Sequence, residues 1–200
     1  MTVGDAVATY RDRRFGREAY RILPGQYIAV PSSALIVTTL GSCVAACVRE
    51  RASGRGGMNH FLLSEDGDPA GGPASEAARY GGHAMELLIN ALLGLGARRE
   101  RLEVKVFGGA SLFGSGGYDV GRRNGAFVLA YCAREGLPVV AQDLYGTAPR
   151  RVHFTTGTGE VQVRYLRSGD AIRASESEVA RRLQAQRAHR LGGGAELFDP

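Results

Sequence analysis

Hydrophobic positions along this chain change their spacing from segment to segment, and the changes mark out the elements. In "YIAVPSSALIVTTLGSCVAACVRE", positions 27–50, apolar residues run on continuously and break only at Pro-Ser-Ser, which predicts two buried strands joined by a turn. "GRGGMNHFLLS", 54–64, passes from glycine to apolar residues, as a turn entering a third strand does. "EDGDPAGGPASEAA" is loop by composition. The spacing then becomes helical: Ala84, Leu87, Leu88, Ala91, Leu92 and Leu95 share one face, and Gly96 supplies a stop. "RLEVKVFGGA" alternates as a strand and breaks at Gly108-Gly109. A second helix carries Phe127, Val128, Tyr131 and Cys132 and closes at Gly136. "LPVVAQDLYG" predicts a strand, and "RRVHFTTGTGEVQVRYL" a hairpin about its Thr-Gly-rich centre.

Three strands in succession, then α-β-α, then three more strands, do not suit a doubly wound nucleotide fold. The order predicts a mixed sheet with helices over one face, in a single α/β domain. Residues 1–24 show neither period and read as a basic N-terminal arm. The core domain is expected over 25–167, and 168–200 as a basic extension ending in the glycine-tethered "GGGAELFDP". That tail is read as a disordered end or, more sharply, as a docking peptide on a flexible tether.

Composition narrows the function classes. With 200 residues and 44% hydrophobic content there is material for one core. No apolar run is long enough to span a bilayer, and no apolar block follows the basic N-terminus as in a secretory signal, so a cytoplasmic location is expected. Three cysteines fit a reducing compartment better than a disulfide framework, and Cys43 and Cys47 lack the further pair that a closed zinc site needs. A structural metal is therefore not expected. The net charge of +5 raises nucleic acid as a partner. The excess arginines gather at the two ends, however, and the middle has no basic stripe interleaved with aromatics, so acidic protein partners fit at least as well.

The candidate chemistry begins with Cys43. A cysteine in an apolar strand is ordinarily an inert core residue. Here small Gly41 and Ser42 precede it, Thr38 and Thr39 lie just upstream, and His60 follows a glycine-rich turn. If the two segments pair as a hairpin across "RERASGRGG", Cys43 and His60 lie across from each other, offset by a few residues. A thiol beside an imidazole can form a thiolate–imidazolium pair. His83, His153 and His189 have no cysteine or carboxylate at a telling spacing. The glycine stretches match neither a phosphate-binding loop nor a serine-nucleophile elbow, and read as turns or as backbone that must approach a substrate closely. "GRRN", 121–124, reads as a helix start with Arg123 and Asn124 exposed.

Taken together, "LGSCVAACV", "GGMNHFLL", "RYGGHAMELLINALLGLGA", "RLEVKVFGGA", "GRRNGAFVLAYCAREGLPVVAQDLYG" and "PRRVHFTTGTGEVQVRYL" resemble the CheD family of chemoreceptor glutamine deamidases over about residues 25–167. The resemblance implies a mixed-sheet α/β sandwich akin to the catalytic domain of deamidating bacterial toxins, with a cysteine–histidine–threonine hydrolytic site. The cysteine and histidine map onto Cys43 and His60. The threonine falls on Thr38 or Thr39, with Val37 six residues before the cysteine, and Thr38 is favoured. Ser42, Asn59, Gly108 and Gly109 are expected around the substrate and oxyanion. The implied activity is protein-glutamine deamidation requiring no metal or organic cofactor, with cleavage of glutamyl methyl esters open to the same acyl chemistry. The implied substrate is the helical cytoplasmic domain of a chemoreceptor, approached by a monomer through an open groove. A CheC-type phosphatase is the other implied partner, and with it comes the alternative of a regulatory binding module with little catalysis.

Overall fold

The computed structural model describes residues 2–3, 7–63, 76–111 and 119–167, and side chains from residue 7 onward except 76–80. The basic extension 168–200 with its "GGGAELFDP" tail, His189 and most of the 65–78 loop lie outside these residues. The strands are β1 (Thr2–Val3), β2 (Ala8–Asp12), β3 (Arg17–Arg21), β4 (Tyr27–Val30), β5 (Leu35–Leu40), β6 (Val44–Glu50), β7 (Gly56–Asn59), β8 (Leu102–Gly108), β9 (Val139–Leu144), β10 (Arg150–Thr155) and β11 (Val161–Tyr165). The helices are α1 (Glu76–Gly94) and α2 (Val120–Arg134).

These strands build two mixed sheets, ordered β1-β4-β7-β6-β8-β9 and β11-β10-β5-β3-β2. The pairings β8–β9 and β3–β5 are parallel and the others antiparallel. The α/β sandwich expected from the sequence is therefore present, with its strands divided between two sheets rather than gathered in one. One face of the first sheet (Val44, Ala46, Val48, Val104, Val106) packs on Met85, Leu88, Ile89 and Leu92 of α1 and Val128, Tyr131 and Cys132 of α2. Its other face (Ala45, Cys47, Met58, Phe107) packs on Ile36, Leu40, Val152 and Phe154 of the second sheet. Burying each large side chain of this kind stabilises the fold by about 1.5–3 kcal/mol before entropy is counted.

Two expectations are corrected. The described residues before 25 are not a loose arm: β1 pairs with β4, and the β2–β3 hairpin joins the second sheet through β5. That segment is polar because few of its side chains are covered: in the two hairpin strands only Asp12 and Ala19 are buried. Ala19 joins Leu35 and Val37 in a small cluster with Tyr10 and Phe15; Arg11, Arg13, Arg14 and Arg21 are exposed and Arg17 is half-buried. The apolar run 27–50 is three strands rather than two. β4 and β6 belong to the first sheet and β5 to the second, so the chain changes sheets twice. The second change is made by Gly41-Ser42-Cys43, which places the thiol at a corner between the layers.

Candidate active site

The hairpin β6–β7 sets the spacing of the two candidate reactive groups. Cys47 pairs with Met58, and the isolated bridge Val44–Phe61 keeps the same register. That bridge is closed by Val44 N–H to Phe61 O at 3.0 Å and Phe61 N–H to Val44 O at 2.9 Å. The register puts Ala45 opposite His60 and Cys43 opposite Leu62. Cys43 and His60 are thus diagonal neighbours whose side chains share the face turned to the second sheet. The far end of the hairpin is held by Glu50. Its carboxylate accepts from Ser53 Oγ and from Arg98 N–H at 3.0 Å, with Arg55 at 3.5 Å. The Ser53 bond, then the Arg98 bond, hold this carboxyl below its ordinary range despite burial.

Thr38 comes to His60 from the opposite sheet. Its Oγ1 lies 2.8 Å from His60 Nδ1 and 2.9 Å from the Ile22 carbonyl oxygen. A hydroxyl has one hydrogen, and a carbonyl can only accept, so that hydrogen goes to Ile22. Thr38 therefore accepts from Nδ1–H, which leaves Nε2 as the basic nitrogen of a neutral imidazole. Strand alternation turns Thr39 to the other face, where its hydroxyl accepts from Arg151 Nε at 3.3 Å, and sends Val37 into the outer cluster. Of the threonines considered, Thr38 is the one the fold brings to His60.

The turn carrying Cys43 is tied down from three directions. Gly109 N–H donates to Cys43 O at 2.8 Å, and Ala110 N–H to Gly41 O at 2.8 Å. Asn124 Nδ2 donates to Ser42 O at 2.8 Å. Gly108, at φ 111°, lies so near the Cys43 carbonyl that a β-carbon there would collide with it. Gly121 likewise lets α2 rest directly on the Ala110 carbonyl. Gly108 and Gly109 therefore lie against the backbone of Cys43 and of α2.

Asn59 faces away from His60. Its Oδ1 accepts from Ala46 N–H at 2.9 Å and its Nδ2 donates to the Ala84 carbonyl at 3.0 Å, fastening the hairpin to α1. Asn124, read from sequence as an exposed helix residue, has 0% exposure, and Arg123 is half-buried. A lone polar residue inside an amphipathic helix gives no sequence signal of burial. Its place at the i+3 position from buried Gly121, on the stripe that continues to Val128, was the available hint.

Cys43 has 0% exposure and His60 2%, so the described residues hold the pair in the interior rather than in the expected open groove. A cleft of about 390 Å³ lined by Arg17, Glu18, Tyr20, Ser32 and Ser33 lies at the opposite end of β5. The other two thiols are set apart: burial pushes Cys132 up to about 11 and Cys47 higher still. His153 sits on the outer face of the second sheet, with Nε2 3.6 Å from Asp12 Oδ2 and its ring against Phe15. Among the described residues, no three His, Cys, Asp or Glu side chains converge as metal ligands. No described helix is long and apolar enough to cross a membrane.

Two mixed sheets backed by helices on one side define an α/β sandwich, with Cys43, His60 and Thr38 placed where the chain crosses between the sheets. A profile described as CheD chemotactic sensory transduction matches residues 62–165. A protein of Ralstonia nicotianae (strain ATCC BAA-1114 / GMI1000) is 47% identical over 192 residues, 94% of this chain and 82% of its own length. One of Janthinobacterium sp. (strain Marseille) is 46% identical over 196 residues, 96% of this chain and 95% of its own. A third, of Methylobacillus flagellatus, is 46% identical over 198 residues. All three are named probable chemoreceptor glutamine deamidase CheD. The chain belongs to the CheD family.

Proposed function

We propose that this protein hydrolyses glutamine side-chain amides of chemoreceptors to glutamate through a thioester on Cys43. The observation that carries the reading is the chain of hydrogen bonds from Ile22 O through Thr38 Oγ1 to His60 Nδ1, which supports an imidazole with a basic Nε2 beside the thiol's strand. The names of relatives 46–47% identical over nearly the whole chain supply the substrate class.

His60 Nε2 takes the Cys43 proton, and the thiolate attacks the carboxamide carbon. The carbonyl π electrons move to oxygen, and backbone N–H groups of the Ser42–Cys43 turn hold the oxyanion. Collapse expels ammonia, which receives its proton from the imidazolium. Water, deprotonated by His60, then adds to the thioester and releases a γ-carboxylate and the thiol. A methyl ester would give the same acyl intermediate with methanol leaving, so ester cleavage belongs to the same proposal. Burial of both groups favours, as a second reading, a binding module for receptors or a CheC-type phosphatase.

Mass spectrometry of receptor cytoplasmic fragments incubated with wild type and with Cys43→Ala decides between the readings. The mass gain of a Gln-to-Glu conversion is expected with wild type and absent with the variant. Conversion by both, or by neither, overturns the mechanism.

A further inference from the structure

Asn124 is fully buried near the start of α2, and both ends of its carboxamide are used across the site. Oδ1 accepts from Leu63 N–H at 2.9 Å, three residues beyond His60, and Nδ2 donates to Ser42 O at 2.8 Å, one residue before Cys43. Leu63 N–H can only donate and a carbonyl can only accept, so the carboxamide has one orientation. One side chain thus joins the segment after the histidine to the turn before the cysteine, and it comes from a helix 64 residues downstream of His60.

Its bond to Ser42 has a directional consequence. The Ser42–Cys43 peptide is trans, so its C=O and N–H point in opposite directions in one plane. Fixing the carbonyl toward α2 fixes the Cys43 N–H on the opposite bearing. The flanking carbonyls of Gly41 and Cys43 are gripped by backbone N–H groups of Ala110 and Gly109, which no side-chain substitution removes. The grip on Ser42 comes from a side chain and can be removed.

We infer that Asn124 is a positioning residue for the oxyanion step: by anchoring Ser42 O it aims the Cys43 N–H at the oxygen that becomes negative when the thiolate adds. This deepens the assignment of Cys43 as nucleophile and rests on it. An aimed dipole acts only where charge develops, so Asn124 matters to carbonyl addition and not to the intrinsic reactivity of the thiol.

The test separates those two properties in the full-length protein. Asn124→Ala removes both bonds. Asn124→Asp keeps the acceptor for Leu63 and, when ionised, loses the donor to Ser42. Both are expected to lower kcat for receptor glutamine conversion by about 100-fold, with KM changed less than about twofold. Alkylation of Cys43 by iodoacetamide, a displacement at saturated carbon that forms no oxyanion, is expected to keep its rate and pH midpoint. A kcat within about threefold of wild type, or a loss matched by an equal loss of alkylation, overturns the inference.

A wild-type measurement covers variants that fail to fold. A receptor peptide carrying an aldehyde in place of the glutamine carboxamide adds to Cys43 as a hemithioacetal. The Cys43 amide proton is expected to move downfield, and an unmoved resonance refutes the inference. Cys43→Ala run in parallel keeps the failures distinct. If it still converts glutamine, the nucleophile is misassigned; if it is inactive while the Asn124 variants are fully active, only the positioning role falls.

Discussion

Thr38 shows how one hydrogen decides a role. Because it is committed to the Ile22 carbonyl, the threonine can only accept from His60, and the imidazole's basic nitrogen follows. Thr38→Val is expected to lower kcat for receptor glutamine conversion by about 100-fold, within the range of general acid–base effects. Thr38→Ser should recover most of it and Thr39→Ala should change little. Equal effects at both positions in a steady-state assay would contradict the geometry. Cys47 lies four residues on, on the same face and in the same inter-sheet cluster as Cys43, and burial pushes its thiol well above the ordinary range. Cys47→Ala is expected to keep turnover within about twofold and to cost about 1–2 kcal/mol of stability, checked by urea unfolding.

His153 carries the pH-dependent prediction. Burial, the largest influence, draws it below its ordinary value, although nearby Asp12 pulls the other way. A histidine that binds its proton more readily unfolded than folded loses stability as pH falls through the ordinary value of about 6.5. Asp12 also feels burial, but bonds from Tyr10, Phe15 N–H and Arg14 N–H hold its carboxyl low. Its stabilising contribution is therefore lost only below the ordinary 3.8, outside the histidine window. Thermal denaturation from about pH 7 to about pH 5 should show a falling midpoint in wild type and a flatter profile in His153→Gln.

At the scale of elements, the β6–β7 hairpin acts as a ruler with Cys43 and His60 at one end and Glu50 at the other. A shift of register by one residue would turn either Cys43 or His60 to the helix side. Glu50→Ala leaves Ser53 Oγ and Arg98 N–H without their buried acceptor. It is expected to cost about 1–3 kcal/mol in denaturant unfolding, together with a fall in kcat from a looser register. The hairpin was legible in sequence because both strands are local, apolar and separated by glycine-rich turn residues. The β2–β3 hairpin was not legible, because so few of its residues are covered that composition alone looked like an arm. Pro-Ser-Ser announced the first change of sheet. Gly-Ser-Cys, a tight corner made of small residues within an apolar run, did not announce the second.

For the whole molecule, the site exists only because two sheets are stacked. Phe154 of β10 lies in the inter-sheet core among Ile36 and Leu40, on the same face of the second sheet as Thr38. Phe154→Ala is expected to destabilise the fold by about 3–5 kcal/mol in chemical unfolding. Where the variant still folds, its activity should fall more than that of Leu92→Ala, on the helix-covered face of the first sheet.

The sequence by itself determined most elements of the core and the helical faces, and it permitted a hairpin that sets Cys43 across from His60. All of these depend on local periodicity and on a short hairpin, so neighbours in sequence carry the information. Its motifs also sufficed to point to the family. Only the tertiary structure decided which threonine meets the histidine, that Asn124 is buried beside Ser42, and that Asn59, Gly108 and Gly109 brace the backbone. Those outcomes depend on which face of a strand or helix is covered by an element far away in the chain. One-residue changes in facing are invisible to composition, and they are fixed only when the second sheet and α2 close over the corner at Gly41–Cys43.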